Sequence, residues 1–185
     1  MTGKFQLLQR ARLALGVLFA LVLGGFAPAQ AGESVWTTYE TPDAFLAEAF
    51  GPTPPAAQML ELDSGKQAQV AAVFGRSYPQ SRLRYWRAGG RSAWILDDLG
   101  KQGYQLTTAG FVVKGGEIDF ARVLIYRESR GEQVADPSFL KKLSGLRPNG
   151  NGLNREVDGI SGATLSVKMM QRMARTALTL DSIAP

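Results

Sequence analysis

The residues best placed to do chemistry lie together near the C-terminus, in Asp158-Gly159-Ile160-Ser161-Gly162-Ala163-Thr164-Leu165-Ser166. Small and hydroxylated residues here run straight into a helical pattern. Leu165, Met169, Met173, Ala177 and Leu180 recur at three to four positions, with Lys168, Arg172 and Arg175 between them. Asp158 and Ser161 are candidate cap residues, and Gly159 and Gly162 allow a tight turn or a close ligand approach. The first N–H groups of a helix have no intrahelical acceptor, and the helix dipole is positive at that end. A hydroxyl in that first turn, Thr164, therefore sits where a phosphate would be held. A bare helix cap is the plainer reading of Ser-Gly-Ala-Thr alone.

The full stretch Asp158 to Thr164 resembles the flavinylation motif of the FMN-binding domain family, in which a threonine carries FMN through a phosphoester. The resemblance implies that Thr164 is the attachment residue, with Asp158, Ser161, Gly162 and Ala163 forming the binding turn. It also implies a maturation partner, a magnesium-dependent flavin transferase that uses FAD as donor. Gly162 and Ala163 would leave room for a bulky cofactor, and Asp158 would either bond back to the loop amides or serve the modifying enzyme. The stretch Arg127-Glu128-Ser129-Arg130-Gly131 is similar to a second family feature, a strand end followed by glycine near the flavin. This makes Glu128 a further cofactor-binding candidate. Tyr126, Trp94, Tyr104 and Phe111 are candidate ring neighbours, although each aromatic also suits a core. The resemblance spans roughly residues 93–180, while 32–90 match nothing recognisable.

Composition narrows the chemistry. The 185 residues contain no cysteine and no histidine. That excludes disulfides, iron–sulfur clusters, thiol nucleophiles, histidine-ligated haem, His-containing zinc sites and Ser-His-Asp catalysis. Redox chemistry would have to come from a cofactor. At the N-terminus, Lys4, Arg10 and Arg12 precede an apolar run from Leu13 to Phe26, and Ala29-Gln30-Ala31 offers the small-x-small pattern of signal peptidase. Residues 1–31 read as a signal peptide, with the mature protein starting at Gly32 in the periplasm or an equivalent exported location. The alternative is an uncleaved membrane anchor, against which the run falls short of the ~20 residues that span a bilayer. Removing those three basic residues, and no acidic one, lowers the formal charge from +5 to +2. No basic cluster is interleaved with aromatics, so nucleic-acid binding is not expected.

The remaining pattern predicts an α+β fold: a twisted antiparallel sheet packed by helices on one side, with the C-terminal helix holding the flavin at its N-terminus. Helices are expected from Thr41-Pro42 and from Asp63-Ser64-Gly65, and a short one from Asp136-Pro137. A brief strand is expected within 57–62, and longer ones at 83–87, 92–96, 105–113 and 117–126, the last two joined by a hairpin at Gly115-Gly116. Gly145 to Gly152 reads as a loop. The domain plan is thus a signal at 1–31, an unassigned part at 32–90 and an FMN-binding core at 91–185. The functional expectation is an exported flavoprotein with one covalent FMN, passing electrons between a membrane-bound donor and a periplasmic or membrane acceptor. A flavin-dependent reductase of a small substrate and a non-redox binding module are the alternatives. The reductase would need Glu128, a tyrosine or an arginine as proton donor, and the module would be colourless when purified.

Overall fold

A computed structural model describes residues 36–101 and 105–185. The signal or anchor segment, the proposed start at Gly32 and the ring candidate Tyr104 lie outside these residues. Six strands form one antiparallel sheet in the order β1-β6-β5-β4-β3-β2. They are β1 (Thr37–Thr38), β2 (Gln58–Glu61), β3 (Arg82–Ala88), β4 (Arg91–Asp98), β5 (Thr107–Lys114) and β6 (Glu117–Tyr126). The α+β class is as expected, and the sheet runs through both parts of the domain plan.

Local chemistry sets the hairpins. Gly115 and Gly116 both take positive φ, 59° and 76°, which a two-residue turn between right-twisted strands requires. β5 is central and is buried from Thr107 to Val113, so its sequence is an apolar run rather than an alternation.

Among the described residues, four helices pack with the sheet. In α1 (Pro42–Phe50) the Thr41 hydroxyl accepts from Ala44 N–H at 3.2 Å. In α2 (Ser64–Phe74) Asp63 accepts from Lys66 N–H at 2.9 Å. The short α3 (Pro137–Leu140) sits between 3₁₀ turns at Glu132–Ala135 and Lys141–Leu143. A two-stranded hairpin, β7 (Pro148–Asn149) with β8 (Gly152–Leu153), occupies the stretch expected to be plain loop.

The last helix, α4 (Thr164–Ile183), shares the main core with α2, burying Met169, Met170, Met173, Ala177 and Leu180. Each such large apolar side chain is worth roughly 1.5–3 kcal/mol when fully buried. The expectation of helices on one side only needs correction. Phe45, Leu46 and Ala49 of α1 cover the opposite face, against Ala93, Val112 and Leu124. A sheet whose central strand is apolar on both faces must be covered on both.

α4 is also tied to the sheet by polar contacts at two levels. Near its far end, Asp181 accepts from Arg87 at 2.8 Å and from the Ser92 hydroxyl at 2.6 Å. Two turns in from its start, Arg172 donates to Asp98 at 2.6 Å.

Candidate functional site

The start of α4 differs from the sequence expectation in one important respect. Its cap position is Ala163, and no side chain accepts a hydrogen bond from its first turn. Neither Asp158 nor Ser161 caps the helix. Asp158 points outward, 86% exposed, and pairs with Lys142 at 3.4 Å rather than with the loop amides. The turn is closed instead by Ala163 N–H donating to the Ile160 carbonyl at 3.0 Å. Leu165, placed by periodicity on the apolar face, is 49% exposed, and the buried stripe begins at Ser166 and Val167.

This bare N-terminus opens into a cleft of about 580 Å³, within the roughly 300–1,000 Å³ typical of cofactor sites. Three segments meet there. Gly162 to Ser166 supply the helix start, Glu128 to Arg130 the segment after β6, and Lys101 the segment after β4. The structure thus brings Thr164, Gly162, Ala163 and Glu128 together, with the Thr164 side chain exposed, and leaves Ser161 and Asp158 off the lining. Lys101, Arg130 and Leu165 were not foreseen in this role. Only the fold reveals that Lys101 shares a cleft with residues more than sixty positions away.

The segments are held in place by a buried polar frame. The Asp98 side chain has no solvent exposure and receives Arg76 and Arg172, each at 2.6 Å. Leu99 N–H also donates to Asp98 at 2.7 Å, and Arg172 donates to the Leu99 carbonyl at 2.7 Å. Gly100 N–H donates to Glu128 at 2.5 Å, and a Cβ at position 100 would come within 2.7 Å of that carboxylate. Glu128 is therefore engaged in holding the Lys101 segment as well as lining the cleft.

On the other wall, Tyr126 donates its phenol proton to the Arg130 carbonyl at 2.5 Å and lies 2.9 Å from the Ser166 hydroxyl. Burial is the main cause that pushes this phenol up to about 12; the Ser166 hydrogen bond works the other way. Gly131, at φ 92°, has no room for a Cβ, which would overlap Ser166 Oγ and approach Tyr126 Oη at 2.9 Å. Two other ring candidates, Trp94 and Phe111, are elsewhere. Trp94 is wholly buried and stacked on Tyr85 at 4.9 Å, and Phe111 is wholly buried in the core. Tyr126 lies behind the cleft wall rather than on it.

An uncapped helix start with an exposed threonine, set in a cofactor-sized cleft, offers the amide donors and the room that a phosphate-bearing ligand needs. Residues 103–179 match the family model of the FMN-binding domain. This segment belongs to the FMN-binding domain family. Comparison with curated proteins and with solved structures gave no match. The matched segment contains both Glu128–Arg130 and Gly162–Ser166, whereas Arg76, Asp98, Gly100 and Lys101 precede it. One wall of the cleft therefore comes from chain outside the family match.

Proposed function

We propose that this protein is an exported FMN carrier, with the cofactor joined to Thr164 by a phosphoester, and that it passes electrons between a membrane-associated donor and an acceptor. The observation that carries the reading is the exposed Thr164 at an uncapped helix start, inside the FMN-binding segment. The unpaired N–H groups of the first turn and the positive helix end would hold the phosphate. Lys101 and Arg130 would add positive charge at the cleft. When bound, FMN supplies one- and two-electron chemistry, which a chain without cysteine or histidine could not otherwise provide.

Attachment balances without any redox step. Thr164 Oγ1 forms the new ester bond to the FMN phosphorus of FAD while the diphosphate bridge breaks, AMP leaves, and the hydroxyl proton passes to the transferase. Outside the cytoplasm such a bond makes retention independent of a dissociation constant, so dilution cannot strip the cofactor. Signal cleavage after Ala31 is part of the same proposal.

The test is coexpression with a flavin transferase, followed by denaturing electrophoresis and flavin fluorescence. Wild-type protein should carry a fluorescent band, and Thr164→Val should carry none. The exposed position lets the variant keep the fold, which circular dichroism checks. A colourless wild type, or a fluorescent Thr164→Val band, would overturn the reading.

A further inference from the structure

Ser166 is among the residues that line the cleft yet is 3% exposed, and the only described polar neighbour of its hydroxyl is Tyr126. The direction of that bond follows from proton accounting. A phenol has one proton, and the Arg130 carbonyl can only accept, so Tyr126 must donate to Arg130. Ser166 must then donate to Tyr126. Its single proton is committed to the wall, and what it presents elsewhere is lone pairs. The Ser166 oxygen occupies the space that a Cβ at position 131 would take, so the glycine makes room for this contact. Ser166 is accordingly an acceptor two residues from Thr164, and the phenol keeps its proton at ordinary pH, burial having raised its pKa further above the usual tyrosine value.

We infer that Ser166 binds a hydroxyl donor of the cofactor, namely a ribityl hydroxyl. The inference rests on the attachment of FMN at Thr164. In FMN the ribityl hydroxyls are the O–H donors that adjoin the phosphate, whereas the N–H of the ring system lies at the far end. An acceptor set within the same helical turn as the attachment oxygen meets the chain, not the ring. Ser166 thus reads the polyol part of the ligand, a role separate from the attachment residue and from the cations Lys101 and Arg130.

The test measures the rate of covalent loading of the full chain by a flavin transferase, with FAD and with FAD analogues each lacking one ribityl hydroxyl. Ser166→Ala should load with FAD roughly three- to tenfold more slowly than wild type, the worth of one neutral hydrogen bond, and still reach full occupancy. One analogue should slow the wild type by a similar factor and leave Ser166→Ala no slower than with FAD. Tyr126→Phe releases the Arg130 carbonyl and the Ser166 hydroxyl but keeps the Ser166 oxygen, so it should slow loading by less than Ser166→Ala does. The inference is overturned if Ser166→Ala loads at the wild-type rate. It is equally overturned if Tyr126→Phe slows loading as much as Ser166→Ala, which would make the pair a structural lock only, or if every analogue slows both proteins alike. Failure of the attachment reading looks different, since wild type would then take no covalent flavin or Thr164→Val would take it.

Discussion

Helices α1 and α2 begin in one way and α4 begins in another. The first two carry their own caps, Thr41 and Asp63, each accepting from an amide three residues on. The longest described helix, α4, starts at Ala163 with no side-chain cap. A helix of 20 residues tolerates this because its stability comes from the apolar face it buries and from Arg172 and Asp181, not from its first turn. The difference teaches where the structure spends polar groups. At α1 and α2 a side chain of the chain itself satisfies the start, whereas the four-residue α3 begins at Asp136 without such a bond. What sets α4 apart is that its unsatisfied start opens into the cleft.

That contrast can be broken at several strengths. The largest effect is expected from Arg172→Met, which removes one of two cations from the unexposed Asp98 carboxylate and frees the Leu99 carbonyl. It should cost roughly 3 kcal/mol in urea unfolding, toward the lower end for a broken buried pair because Arg76 remains. Gly131→Ala should follow, at about 2 kcal/mol, since it adds a side chain at positive φ and forces Ser166 off Tyr126. Both should impair flavin loading, because both displace a wall of the cleft. Asp63→Ala should lose about 1 kcal/mol as the α2 cap is removed. Asp158→Ala and Ser161→Ala sharpen the comparison from the other side: if neither residue caps α4, each should change stability by less than about 0.5 kcal/mol. A loss as large as that of Asp63→Ala would show that the α4 start is capped after all.

The sequence made the caps of α1 and α2 legible because Thr-Pro and Asp-Ser-Gly carry the cap and the helix start within adjacent residues. The same local reasoning failed at α4. Asp158 and Ser161 are the right residue types, but the chain turns between Ile160 and Ala163 and carries both away from the first turn. Hairpins at paired glycines were equally readable, since the turn demands positive φ. Lys101 and the Asp98 frame were not, because the contacts that define them join residues about 74 apart, Arg172 with Asp98. Trp94 and Phe111 show the reverse limit. An aromatic in a strand looks the same whether it faces a cofactor or the core, and here both face the core.

The central claim is that the bare start of α4 is the seat of a phosphoester. Trypsin would release residues 156–168 as one peptide, bounded by Arg155 and Lys168 and holding three hydroxyls, on Ser161, Thr164 and Ser166. Fragmentation mass spectrometry of that peptide, from protein coexpressed with a flavin transferase, separates the three directly. The account predicts the mass of one FMN less one water on Thr164 and on neither serine. The same mass on Ser161 or Ser166, or an unmodified peptide, would contradict it.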